Sequence, residues 1–323
     1  MIAVQLEDVK LNDSFEFYLS NRQIIRTAVI DDSAPEIQSL LHSVIAYTGV
    51  TPPEEPEPAP APEPASAPEP APVAESAPGW IAEGEQNFLA GAKLAGRLLK
   101  RYKGKAERVA IPSAVSKLDG WSCSGQGMKE LYLPDSVTEI GEYAFHNCKQ
   151  LETVRFPTGL RFLRDSAFHE CKSLKAVTLP AGEVMGKDVF FGCKNLQSVY
   201  LADGWEEVNN GAFTFCKSLA AVRLPAGIRR IGRSAFAWCE ALMTITLPEG
   251  LAEIAKDAFC STGIREIAIP GSVKNIEKGA FSFGKLSMIV FGGTKAQWLE
   301  ANGGAARRGL PSSCIIRCTD GTL

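Results

Sequence analysis

The sequence predicts an α/β repeat: a solenoid of about eight coils, each of 22–23 residues, with a parallel sheet on one face. Three periodic series predict it. An Ala-Phe dipeptide or a close variant ends at Phe145, Phe168, Phe190, Phe213, Phe236, Phe259 and Phe281, at spacings of 23, 22, 23, 23, 23 and 22. A second series, Leu151, Leu174, Leu196, Leu219, Leu242, Ile264 and Leu286, opens each unit. A third, Pro112, Pro134, Pro157, Pro180, Pro225, Pro248 and Pro270, follows a short strand, with Ala202 in the one missing place.

In chain order, residues 1–50 form a small α+β segment. It contains two β-prone stretches, Phe15 to Leu19 and Ile24 to Ile30, and a helical stretch near Pro35 to Tyr47. In that stretch Ile37, Leu40, Leu41, Val44 and Ile45 recur at spacings of 3 and 4. A piece of this size is near the lower limit for folding alone, and it has no Cys to staple it. Oligomerisation or docking through residues 1–50 is one expectation, and a small independent β-α module is the other.

Residues 51–79 form a linker. From Pro52 to Pro78 it holds eleven Pro, seven Ala and six Glu, with Val73 the only larger apolar side chain. Proline fixes φ and removes backbone donors while like charges repel, so a disordered, extended, semi-rigid spacer is expected, reaching roughly 80 Å at full extension.

Residues 80–291 are the solenoid with its N-terminal cap, and residues 292–323 a C-terminal cap. The unit is clear in LETVRFPTGLRFLRDSAFHECKS, from Leu151 to Ser173. Its apolar residues at positions 1, 4 and 6 face inward, and 4 and 6 alternate as one side of a strand. Proline at position 7 suits the point where the chain leaves a hydrogen-bonded ladder. The later Ile and Ala-Phe pack the opposite wall. No unit closes a core alone, so the units must stack. Before the first coil, Phe88, Ala92, Ala95 and Leu99 suggest one capping helix, followed by the basic cluster Arg97, Lys100, Arg101, Lys103, Lys105 and Arg108.

Positions 2, 3 and 5 of the strand point outward. Position 5 reads Tyr132, Arg155, Thr178, Tyr200, Arg223, Thr246, Ala268 and Val290. Tyr and Arg are large, partly apolar and able to hydrogen-bond, and they anchor interfaces more than most residue types. Tyr132, Arg155, Tyr200 and Arg223 are therefore the candidate partner-binding residues. Phe191, Phe215, Trp238 and Phe283, one or two residues after the repeat Phe, suggest an apolar strip on the non-sheet side.

Chemistry is sparse. Five of the nine Cys (Cys148, Cys171, Cys193, Cys216 and Cys239) sit three residues after the repeat Phe. One Cys per coil makes a line, whereas zinc needs four converging ligands, so reduced core packing is expected. Cys314 and Cys318 have no second pair or nearby His and belong with a terminal strand and turn. Of three His, His146 and His169 follow repeat Phe residues and are explained by the repeat. No nucleophile, base and orienting acid assemble, and no phosphate loop or dinucleotide fingerprint is present. The reading is a non-enzyme with no cofactor and no metal.

The formal net charge of −3 combines −4 in residues 1–51, −6 in residues 52–78 and +7 in the remainder. The Lys and Arg of that remainder are scattered, which reads as a solvated surface, and no nucleic-acid partner is expected. No stretch approaches the ~18 apolar residues of a membrane span, and no secretion signal is apparent, so the sequence by itself suggests the cytoplasm.

The pattern LYLPDSVTEIGEYAFHNCKQLETVRFP resembles the BspA-like leucine-rich repeats of bacterial surface and secreted proteins. RYKGKAERVAIPSAVSKL resembles the first coil of that family, and FGGTKAQWLEA with CIIRCTDG a terminal cap, so the resemblance spans roughly Leu99 to Gly321. It implies a leucine-rich-repeat solenoid acting as a non-enzymatic binding module, often an adhesin for a protein or glycan partner, at the cell surface or outside the cell. The acidic N-terminal arm and Pro-Glu-Ala spacer depart from the family. The competing expectation is an intracellular scaffold or assembly component whose specific contacts are made by residues 1–50.

Overall fold

A computed structural model of the chain describes residues 15–19, 23–27, 81–305 and 309–323. The chain divides into two units, Met1–Glu63 and Pro64–Leu323. In the first, strands Phe15–Leu19 and Gln23–Thr27 pair antiparallel with Phe17 opposite Ile25. The helix expected near Pro35 to Tyr47 and the Pro52–Pro78 spacer lie outside the described residues.

The second unit is a β-solenoid of about nine turns. On the front of all but one coil lies the short strand read from the sequence. Arg108–Ala110, Glu130–Tyr132 and Thr153–Arg155 form one parallel patch, Ala176–Leu179, Ser198–Leu201 and Ala221–Arg223 a second, and Glu266–Ile269, Met288–Phe291 and Ile315–Cys318 a third. Within each strand burial alternates: Leu131, Val154, Val177, Val199 and Val222 point in, while Tyr132, Thr178 and Tyr200 are only half-buried. The prolines then do what their missing N–H predicts. Val137 and Leu160, for example, donate back to the carbonyls of Pro134 and Pro157, turning the chain off the ladder.

The structure adds a second ladder, on the back of the coil, made of two-residue strands. Lys117–Leu118, Glu139–Ile140, Phe162–Leu163 and Val184–Met185 stack in parallel, as do Glu207–Val208, Arg230–Ile231, Glu253–Ile254 and Asn275–Ile276. Coils approach closely here. A Cβ at Gly141 would lie 2.6 Å from the carbonyl oxygen of Leu118, which accounts for Gly at that place in the unit. Outward charges on this ladder compensate along the column: Glu139 pairs with Lys117 and Arg164, and Arg230 with Glu207 and Glu253.

Tight turns make the third side, where the repeat Phe side chains enter the core. The rings of Phe145, Phe168, Phe190, Phe213, Phe236, Phe259 and Phe281 stack in one column, with centroids 5.0–5.5 Å apart and planes within 14°. Beside them runs the cysteine column. The thiols of Cys171, Cys193, Cys216 and Cys239 donate to the carbonyls of Phe145, Phe168, Phe190 and Phe213 of the preceding coil, at 3.2–3.3 Å. These Cys are buried and form no disulfide with one another. Burial raises their thiol pKa, in Cys148 to about 12.

Both ends are closed, but the N-terminal cap corrects the single-helix expectation. The helix covers only Ile81–Gly91; Ala92–Ala95 then pairs antiparallel with Leu98–Tyr102 around Gly96, at φ +59°. Leu98 in turn pairs in parallel with Lys117 of the first coil. An open ladder edge needs in-plane donors and acceptors, which a strand supplies and a helix does not. Phe88 of the helix stacks on Tyr102 at 5.3 Å. At the other end, helix Lys295–Ala301 begins in a capping box between Thr294 and Gln297 and buries Trp298 against Phe291. The strand Ile315–Cys318, which carries Cys318, extends the front sheet, and Gly321–Thr322 folds back on it antiparallel.

Candidate binding face

The four residues singled out from the sequence lie in one outward column of the front sheet, and they form two pairs. Tyr132 and Arg155 are direct register partners, as are Tyr200 and Arg223. In each pair the guanidinium lies over the phenol ring, with Cζ 4.7 Å from the Tyr132 centroid for Arg155 and 4.9 Å from the Tyr200 centroid for Arg223. The strand alternation that buries Leu131 and Val199 turns these neighbours outward, and the coil spacing sets ring and guanidinium at stacking distance.

The two arginines differ in their other contacts. Arg155 also donates to the Leu133 carbonyl at 3.3 Å and lies 3.6 Å from Asp135, with 28% of its side chain exposed. Arg223 is exposed and has no ion-pair partner among the described residues. A guanidinium stacked by its face keeps its edge N–H groups available, and its planar fork matches a carboxylate or another oxyanion. Of the other outward positions, Thr178 lies beside Tyr200 in register, and Ala268 beside Val290. Thr246 falls in a segment with no strand, so the hydrogen-bonded front ladder lapses there.

A second surface feature lies along the turn side and is longer than the sequence suggested. Trp121 stacks on Tyr143 at 4.4 Å; His146 contacts both rings and lies 5.2 Å from His169, which stacks on Phe191 at 4.7 Å and 6°. Phe191, Phe215 and Trp238 continue the series at 5.4 and 5.8 Å. Trp121 is 55% exposed and Trp238 43%. Phe215, Trp238 and Phe283 sit at φ 60°, 62° and 56°, where other coils place Asn147, Glu170, Gly192 and Ser261. A bulky side chain in this left-handed region costs roughly 1 kcal/mol or more. Burial lowers the pKa of both His146 and His169, and each acts as one more ring of the strip. Phe283, 88% exposed, joins none of these ring pairs.

The two-ladder coil, the Phe column and the Cys column now meet a sequence match. The family model for the BspA type leucine-rich repeat region fits residues 101–220 and 181–287, with six copies, across more than half of the chain. This chain belongs to the BspA-type leucine-rich repeat family. Among solved structures it is similar to the T. pallidum leucine-rich repeat protein, with 32% identity over 55% of this chain and 86% of that one, at a TM-score of 0.50. A leucine-rich repeat protein from Eubacterium ventriosum matches at 19% identity over 58% and 71% of the two chains, with a TM-score of 0.43. The pneumococcal vaccine antigen PcpA matches at 21% identity over 61% and 60%, with a TM-score of 0.42. No curated protein matches. As a BspA-type repeat chain it is a binding and repeat module in general terms.

Proposed function

We propose that the BspA-type solenoid is a non-enzymatic binding module that captures a protein or glycan partner on its front sheet face, in the manner of an adhesin. The observation that carries this reading is the pairing of Arg155 over Tyr132 and Arg223 over Tyr200 in one outward column. Stacking fixes the side chains before a ligand arrives, so less rotamer entropy is lost on binding. Some other charges on the solenoid surface are paired between neighbouring coils, as with Arg161 and Glu183 or Lys217 and Glu240. The front column keeps Arg223 outside such a pair.

The test immobilises the full chain and a variant carrying Tyr132→Ala, Arg155→Ala, Tyr200→Ala and Arg223→Ala, then presents arrays of glycans and of extracellular matrix proteins. The four substitutions are on the outer surface, so circular dichroism and the unfolding midpoint should change little. Ligands held by the unsubstituted chain are expected to be lost from the variant. Retention of every ligand by a folded variant refutes the assigned face.

A further inference from the structure

The front column carries a longer period than the coil. Tyr200 lies sixty-eight residues after Tyr132, and Arg223 sixty-eight after Arg155. Their surroundings repeat too: Tyr132-Leu133-Pro134-Asp135 corresponds to Tyr200-Leu201-Ala202-Asp203, and Val154-Arg155-Phe156-Pro157 to Val222-Arg223-Leu224-Pro225. The first two three-strand patches each carry a small residue, then Tyr, then Arg, in register: the fully buried Ala110, then Tyr132 and Arg155 in the first, and Thr178, Tyr200, Arg223 in the second. The third patch keeps Ala268 and Arg317 but has Val290 in the middle, and so lacks the ring.

From this duplication we infer that the ligand is an acidic polysaccharide, a linear sugar polymer bearing carboxylates; the inference rests on the front-face reading above and names its ligand class. Three coils at the spacing of a parallel ladder separate the two Tyr-Arg pairs by about 14 Å. The Tyr200–Arg223 pair offers two different surfaces, while at the other pair Arg155 already meets the Leu133 carbonyl and Asp135. On one side the guanidinium edge can take a carboxylate by paired N–H donors. On the other, the register neighbour of the Tyr200 ring is Thr178, whose short, half-buried side chain leaves room for a flat, C–H-bearing group against the electron-rich face, whereas Ala110 beside Tyr132 is fully buried. A uronic-acid sugar carries both groups on one ring. A second Tyr-Arg stack, Arg155 over Tyr132, at a fixed separation on a rigid column suits a ligand that is itself periodic, because a second unit of the same chain meets it at high effective concentration. An acidic peptide is less well matched. Its side chains have no imposed period. The net charge of +7 outside the N-terminal arm and spacer attracts a polyanion from a distance.

The experiment uses the full chain in biolayer interferometry against hyaluronate, alginate and polygalacturonate, with neutral dextran and poly-L-glutamate alongside. At least one carboxylated polysaccharide should bind, more weakly as salt is raised. Arg223→Ala and Tyr200→Ala should each weaken it about tenfold or more, whereas Arg161→Ala, on the back ladder and paired with Glu183, should leave it within about twofold. Fragments too short to span both pairs should bind roughly a hundredfold more weakly than long ones. Equal binding of dextran, or tighter binding of poly-L-glutamate, overturns the ligand class. Failure of all three carboxylated polymers, while the fourfold variant still loses some other arrayed ligand, also overturns the class and leaves the face standing. If the fourfold variant loses nothing at all, the face itself is wrong and this inference falls with it.

Discussion

Replacing Phe213 by Ala is expected to destabilise the solenoid by about 3–5 kcal/mol. Phe213 is fully buried, with the rings of Phe190 and Phe236 stacked on its two faces at 5.5 and 5.4 Å. Truncation removes the transfer free energy of a whole ring and opens a cavity between two rigid walls. It also removes two aromatic contacts, each contributing about 0.5–1.5 kcal/mol beyond area. Collapse is restricted because the backbones on either side are hydrogen-bonded coil to coil: the Phe190 amide donates to Ala212, and that of Phe213 to Ala235. Phe213→Leu retains most of the volume and should cost less than half as much. The assay is urea unfolding followed by far-UV circular dichroism, with Phe283→Ala as the comparison. Phe283 is largely exposed and outside the stacked rings, so its loss should fall within about 0.5 kcal/mol. A repeat array can lose cooperativity, so coincidence of circular dichroism and tryptophan fluorescence is checked first. A Phe213→Ala loss under about 1 kcal/mol, or one equal to that of Phe283→Ala, refutes the continuous ring column.

Other outcomes follow from the same geometry. The ladder thiols are buried with raised pKa values, so Cys148 and its neighbours should resist thiol reagents in the folded chain and react on unfolding, which a stopped-flow labelling assay reads. Their stabilising effect is complete below the unfolded thiol pKa and is lost as pH rises from about 9 towards 12, by up to about 1.4 kcal/mol per pH unit for each thiol. The urea midpoint should therefore fall between pH 8 and pH 10, and less steeply in Cys148→Ala. His146 and His169 have lowered pKa values, so the unfolded chain takes up their protons first; stability is present above about pH 6.5 and lost below it. His169→Phe, which copies the next coil, should flatten the fall in midpoint between pH 7 and pH 5. Ser261→Gly relieves a side chain at φ 56° and should raise stability by about 1 kcal/mol in the same urea assay.

Much of this fold is written in residue types at fixed intervals. The Phe column, the Cys column and the front strands all follow from spacings of 22 and 23, because stacking converts an equal place in each unit into direct contact. The outward direction of Tyr132, Arg155, Tyr200 and Arg223 was legible for the same reason, as alternation within a strand needs only two inward residues to fix it. The back ladder was not, since two-residue strands such as Phe162–Leu163 show no period of their own. The stacking of Arg155 on Tyr132 depends on register between coils, a property of the assembled ladder rather than of any one unit. His146 and His169 looked like incidental members of the repeat; their part in an aromatic strip from Trp121 to Trp238 appears only when successive turns are superposed. The helix end at Gly91 was missed because Ala92 and Leu99 keep a helical interval, while the need to close a sheet edge is a tertiary demand.

The claim that the front column is the binding surface is tested most directly by hydroxyl-radical footprinting of the full chain, with and without a saturating captured ligand. Oxidation of Tyr132 and Tyr200 should drop severalfold on binding, while Tyr143 and Trp238 on the turn side stay as reactive as before. Protection of the turn side with Tyr132 and Tyr200 unchanged would contradict it.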